Sequence, residues 1–204
     1  MKVSHGAGYL EVRRKSAKLI KKAFDPLKID IRGSEHLPKD QKIIFIYNHL
    51  HNHPYFTVDK TFQITLDSHF ISSKILYKYY KNPGTRVVRF SLPEEDEHRR
   101  YYNKFNFIRV YSKDFTPSGF TKKQIRATNE EFYKKAANEL ENKINLVFSP
   151  EGSSYYTDES PGIFRKGIFK LAASLKEQPL FVPIVLVNFD KLPSEDSFKC
   201  EIKP

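Results

Sequence analysis

The stretch Asn48-His49-Leu50-His51-Asn52-His53-Pro54-Tyr55-Phe56-Thr57-Val58-Asp59 brings several imidazoles close to a carboxylate. Imidazole titrates near neutral pH, and a carboxylate beside it fixes its tautomer and stabilises the imidazolium, so this composition suits general-base chemistry. His53 with Asp59 is the expected dyad because the two are close in sequence, and His49 is the alternative base. The same residues also read as a solvated histidine loop or as a metal site. The metal reading is the weaker one, because no second cluster of ligands stands out elsewhere in the chain. A further group, Phe148-Ser149-Pro150-Glu151-Gly152-Ser153-Ser154, joins a carboxylate to a glycine and several hydroxyls. Backbone N–H groups in such a loop can meet an oxyanion or a hydroxyl substrate. The competing reading is a turn made of turn-forming residues.

Both groups follow apolar runs of strand type, Ile43 to Tyr47 and Ile144 to Phe148. In open α/β sheets, ligands gather at the carboxyl ends of such strands. Upstream, Leu10 to Phe24 reads as an amphipathic helix with Val12, Leu19, Ile20, Ala23 and Phe24 on one face, stopped by Asp25-Pro26. Ile29 to Arg32 reads as a short strand closed by Gly33. A helix is expected to start near Thr57, Ser68 to Ser72 to return as a strand, and a Lys/Tyr-rich helix to run on to Lys81. The acidic run at 93–97 favours a helix start. Phe105 to Tyr111 reads as a strand, Lys122 to Lys143 as a long helix, Phe164 to Lys176 as another and Leu180 to Val187 as a strand. This alternation predicts a single α/β domain: a central mixed, largely parallel sheet with helices on both faces. The division expected is a basic amphipathic helix over 1–27 and the main domain over 28–204.

Among 204 residues, 35 Lys and Arg face 24 Asp and Glu, a net charge of +11. Such a charge favours polyanionic partners: membrane phosphates, nucleic acid or an anionic co-substrate such as coenzyme A. The single cysteine, Cys200, excludes an intramolecular disulfide, and a reducing compartment fits. Because no run reaches the ~18 apolar residues of a membrane span, lipid contact would be peripheral. Arg13, Arg14, Lys15, Lys18, Lys21 and Lys22 suit the first helix to an anionic bilayer, each adding about 1 kcal/mol, or leave it as an outer helix with a solvated basic face. Lys74 to Lys81 and Arg99-Arg100-Tyr101-Tyr102 interleave cations with aromatics, as nucleic-acid-binding modules do. A solvated basic face is the preferred reading there, and no nucleic acid is expected.

Taken in order, Gly33-Ser34-Glu35-His36-Leu37-Pro38, Asn48-His49, the block from Phe148 to Ser154, Phe164-Arg165-Lys166-Gly167-Ile168 and Val182-Pro183-Ile184-Val185 resemble the glycerolipid acyltransferases. That family includes lysophosphatidate and glycerol-3-phosphate acyltransferases, and the likeness covers residues 28–204. The resemblance implies an acyltransferase-like domain in phospholipid biosynthesis. It would move a fatty acyl group from acyl-CoA or acyl carrier protein to a hydroxyl of a lysophospholipid, glycerol phosphate or related lipid acceptor. Transfer would be direct, with no cofactor beyond the thioester co-substrate and no metal. His53, held by Asp59, would take the acceptor's proton. Glu151, Gly152, Ser153 and Ser154 would hold the acceptor, and Arg109, Lys113, Arg165 or Lys166 would supply charge in place of the family's arginines. It also implies a cytoplasmic protein, peripheral on the cytoplasmic face of a membrane. Two features depart from the family pattern. Asp59 lies six positions after His53 and ten after His49 where four intervening residues are usual, and Ser112 and Ser154 stand where arginines are expected to bind phosphate. The second departure keeps open a non-catalytic, lipid-binding member of the family and a phosphate-free acceptor.

Overall fold

Seven strands form one sheet in the computed structural model, which describes residues 8–39, 42–58, 62–111 and 119–204. The chain enters through helix α1 (Tyr9–Phe24), whose Glu11 in the first turn and Lys21 and Lys22 in the last complement the helix dipole. Strand β1 (Ile29–Arg32) follows and ends at Gly33, where φ is +76° and a Cβ would collide with the carbonyl of Ile202. Strand β2 (Ile43–Tyr47) is buried along its whole length. A small hairpin of β3 (Thr57–Val58) and β4 (Phe62–Gln63) leads into α2 (Leu66–Phe70), which continues through a π-helical stretch, Ile71–Tyr77, into α3 (Lys78–Tyr80). Then come β5 (Thr85–Arg89), α4 (Asp96–Phe105), β6 (Ile108–Val110), α5 (Lys122–Glu141), β7 (Leu146–Phe148), α6 (Gly167–Ser174), β8 (Leu180–Val187) and β9 (Phe198–Ile202).

The strand order is β1-β9-β8-β2-β7-β5-β6. Every neighbouring pair is parallel except β8 with β9. Strand β2 shows how the layers are built. Its Ile43, Phe45 and Tyr47 pack with Phe24 of α1 and with Phe70, Ile71, Ile75 and Leu76, while Ile44 and Ile46 pack with Phe132, Ala136 and Leu140 of α5 and Ile168 and Leu171 of α6. Period-two alternation therefore feeds both faces, and the sheet is a mixed, largely parallel one covered by helices on both sides.

Two local expectations are corrected, and one strand of the main sheet was not expected. Thr57 opens a strand and not a helix. Ser68 to Ser72 is helical: Leu66, Phe70, Ile71 and Ile75 recur at helical spacing, and that period overrides the β-branched content of the short run. Strand β5 was not foreseen, because Arg86 and Arg89 interrupt its apolar pattern.

The first helix puts only part of its expected apolar face inside the domain: Leu19 and Ala23 are exposed and Ile20 is half-buried. Val12, Ala17 and Phe24 are buried, and so is Arg13. The Arg13 guanidinium meets Glu139 at 3.1 Å, donates to the carbonyls of Phe105 and Asn106 at 2.7 Å each, and bonds the Thr85 hydroxyl. Among the described residues, no helix is long and apolar enough to cross a membrane.

Candidate active site

Strands β2 and β7 are parallel neighbours, so the segments leaving their carboxyl ends emerge side by side. This is why Asn48-His49 and Ser149-Pro150-Glu151, a hundred residues apart in sequence, form one site. Asn48 is structural: its side-chain amide donates to the Leu186 carbonyl at 2.9 Å and accepts from the Leu186 N–H at 2.7 Å, locking the end of β2 to β8. A lone parallel bridge between Leu50 and Tyr155 joins the two segments, with the Tyr155 N–H on the His49 carbonyl and the His51 N–H on the Tyr155 carbonyl, both at 2.9 Å.

Among the described residues of the histidine-rich segment, His49 is the histidine with a carboxylate on its ring. Its Nδ1 lies 2.5 Å from Oδ2 of Asp67, the second residue of α2. Asp67 is buried and also accepts from the backbone N–H groups of Leu50, at 3.1 Å, and Ser68. With Nδ1 committed to the carboxylate, Nε2 is the nitrogen left to work, and the side chain is 28% exposed on the wall of a cleft of about 290 Å³. Burial, the largest influence, disfavours the His49 imidazolium. The charge and hydrogen bond of Asp67, with the charge of Glu151 behind them, outweigh it and hold the pKa above the ordinary imidazole value. Burial likewise works against the Asp67 carboxylate, but His49 and the two backbone donors lower its pKa overall.

Glu151 is fully buried. Its Oε2 accepts from the His49 N–H at 2.5 Å and from the Ser149 hydroxyl at 3.1 Å, and its Oε1 accepts from the Gly162 N–H at 2.7 Å. A carboxylate engaged in this way holds the backbone of His49 in place and has little reach toward an acceptor, the role expected for it from sequence. Gly152 and Ser153 do line the cleft, and Gly152 takes φ +76°. Ser154 lines it too, its hydroxyl 3.0 Å from Nδ1 of His51.

The remaining residues singled out from sequence lie elsewhere. His53 caps the short 3-10 turn Pro54–Phe56, its Nδ1 accepting from the Tyr55 N–H at 3.2 Å, and it is outside the cleft lining. Asp59, Ser112 and Lys113 lie outside the described residues. Arg109 bonds the Asn103 side chain, and Lys166 is exposed just before α6; neither lines the cleft.

Sequence reasoning missed Asp67 and Arg86. One turn of α2 holds both the base and a cation: Asp67 takes His49, Ser68 accepts from Arg86 at 3.1 Å, and His69 lies against the same guanidinium. Arg86, the second residue of β5, is buried, donates to the Tyr101 hydroxyl at 2.6 Å and lies over the Phe107 ring at 4.4 Å. His69 takes the Thr65 carbonyl on Nδ1 at 2.6 Å and the Tyr101 hydroxyl on Nε2 at 2.8 Å. Burial first and Arg86 second push its pKa down to about 3, so it serves as a neutral acceptor in this network. A second, more apolar cavity of about 280 Å³ adjoins the cleft. The two share Val110, Phe148, Ser149 and Gly152, and the second is closed by Phe132, Tyr133 and Pro150.

Among solved structures, the 1-acyl-sn-glycerophosphate (LPA) acyltransferase PlsC from Thermotoga maritima matches with a TM-score of 0.57 over 96% of this chain and 68% of that one, at 18% sequence identity. The chain has the PlsC acyltransferase fold. Neither a family model nor a curated protein sequence matches it. Within this PlsC-type fold, the His49–Asp67 pair occupies the open carboxyl end of the central strand, where α/β sheets place ligands.

Proposed function

We propose that the protein is an O-acyltransferase in lipid metabolism. It moves a fatty acyl group from the thioester of acyl-CoA or acyl carrier protein to a hydroxyl of a lysophospholipid, glycerol phosphate or related lipid acceptor. The observation that carries this reading is the His49–Asp67 pair facing a cleft at the end of β2, in a fold shared with PlsC. Asp67 keeps the proton of the neutral imidazole on Nδ1, so Nε2 presents its lone pair to the acceptor hydroxyl. As the acceptor oxygen bonds to the thioester carbonyl carbon, its proton passes to Nε2. The C–S bond then breaks, and the proton returns from the imidazolium to the departing thiolate.

Glu151 is a positioning residue in this scheme. It fixes the peptide of His49 and, through Gly162, the loop that follows β7. The apolar cavity next to the cleft suits an acyl chain, and the buried Arg86 adds positive charge to the cleft wall, which favours anionic groups there. A hydroxyl in place of a guanidinium at Ser154 fits an acceptor whose phosphate, if it has one, is held by other cations.

Release of free thiol from long-chain acyl-CoA and from acyl carrier protein tests the reading, across lysophospholipid, glycerol phosphate and unphosphorylated hydroxyl acceptors. Acceptor-dependent release that is lost in Asp67→Ala is the expected result and names the acceptor class. No release with either donor and any acceptor, from folded protein, overturns it in favour of a non-catalytic lipid binder.

A further inference from the structure

The loop between β7 and α6 is fastened at two nearby points. The Gly162 N–H is held by Glu151 at 2.7 Å, and the Arg165 N–H by the Pro150 carbonyl at 2.6 Å. Between these anchors the chain turns Ile163 and Phe164 outward, 81% and 46% exposed. Two large apolar side chains at that exposure, on a backbone pinned to the site, are not a frayed loop. Among the described residues, neither joins a hydrophobic cluster of the core.

Three observations identify what covers them. Cations follow directly: Arg165, Lys166 and Lys170 are all exposed, and Phe169 adds another exposed ring among them, while Asp158 and Glu159 stand before the first anchor. Arg165, the residue after the pair, and Pro150, which holds that residue's N–H, both line the apolar cavity. On another wall of that cavity the Tyr111 ring packs, tilted, against Phe120, itself exposed, at 5.1 Å between ring centroids. Exposed apolar groups therefore flank the cavity from two separate segments. Finally, α1, the element that suited a bilayer on sequence grounds, has Val12, Ala17 and Phe24 buried in the domain and keeps Tyr9 and Leu19 as its exposed large apolar side chains. Apolar side chains beside a band of cations match the two layers of an anionic bilayer surface, acyl region and headgroups.

We infer that Ile163 and Phe164 form a wedge that inserts into an anionic membrane surface and sets the mouth of the apolar cavity against the lipid. The inference rests on the proposed function only in taking the substrate from a lipid surface. Because the wedge is anchored to Pro150 and Glu151, docking and the position of the site are mechanically linked.

Co-sedimentation with vesicles of phosphatidylcholine, alone or mixed with phosphatidylglycerol, tests it. The wild-type protein partitions onto the mixed vesicles. The double variant Ile163→Ser/Phe164→Ser loses about tenfold or more of that partitioning, and Lys166→Gln/Lys170→Gln loses it on the mixed vesicles alone. Leu19→Ser on the exposed side of α1 changes nothing. Absence of wild-type binding, indifference to the double variant, or an equal loss in Leu19→Ser overturns the wedge. So does a double variant that binds vesicles normally but no longer binds acidic acyl carrier protein, which would make this a protein-docking surface. Transfer to a water-soluble acceptor separates the two readings. The double variant retains it if both hold, whereas vesicle binding without transfer by any form of the protein rejects the enzymatic reading and leaves the wedge standing.

Discussion

At the scale of single residues, the account turns on how Asp67 tunes His49. Its charge raises the His49 pKa above the ordinary value against the pull of burial, so the base is in its working, neutral form only above that raised pKa. The acidic limb of the rate profile should therefore lie on the alkaline side of free imidazole. In Asp67→Asn the charge is gone and the burial remains, so the limb should move to lower pH while the plateau rate falls by roughly 10²–10⁴. A pH–rate profile reads both, and a limb that stays in place would show that Asp67 does not face the working base. The histidine-rich segment was legible in sequence because imidazoles crowd together at the end of a strand. The partner was not. Pairing His53 with Asp59, which lies outside the described residues, took a preorganised dyad to be local in the chain; for His49 the fold supplies preorganisation from two rigid elements, the end of β2 and the first turn of α2. Misreading Ser68 to Ser72 as a strand hid the helix that brings the carboxylate.

At the scale of elements, α1 is held by the buried side chains of Val12, Ala17 and Phe24 and by the buried Arg13–Glu139 ion pair. Arg13 reaches across to Glu139 of α5 and to the end of α4, and its side chain and that of Glu139 are both largely shielded. Glu139→Ala leaves the guanidinium buried without its carboxylate, and should cost about 3 kcal/mol or more in urea unfolding. A loss below about 0.5 kcal/mol would mark the pair as a surface ornament. Strands β2 and β8 and helix α5 were legible because their periods are unmixed. The α5 start is further signed by Thr121 and Gln124, which bond reciprocally as a capping box. Strand β5 was not, since two of its five residues are arginines, and one of them, Arg86, is buried only because α2 and Tyr101 supply acceptors from elsewhere in the chain. The first helix shows the same limit. Its amphipathic pattern was plain, but a pattern does not say whether the apolar face meets lipid or protein.

For the whole molecule, sheet order is what joins the motifs, because β2 and β7 become neighbours only when the connections between them cross over both faces. The α/β class followed from alternation of elements, but strand order did not. Folding also buries histidines in neutral form, which makes stability depend on pH. The folded pKa of His69 is about 3 against an ordinary 6.5, so below pH 6.5 the unfolded chain takes up a proton that the native state refuses. Stability should fall steadily as pH drops from 6.5 toward 3. His98, lowered by burial, adds to that slope, while His49, being raised, gives up its contribution only at higher pH. Denaturant midpoints of His69→Gln between pH 6.5 and 4, above the range where the lowered Asp67 titrates, should show a shallower decline than wild type. An identical decline would mean that His69 is not held neutral. The central claim is that this fold works as an acyltransferase with His49 as its base, and one comparison reaches it most directly: acceptor-dependent thiol release by wild type, His49→Ala and His53→Ala side by side. The account predicts that His49→Ala loses several powers of ten, on the order of 10³ or more, while His53→Ala stays close to wild type; activity that survives in His49→Ala and vanishes in His53→Ala would contradict it.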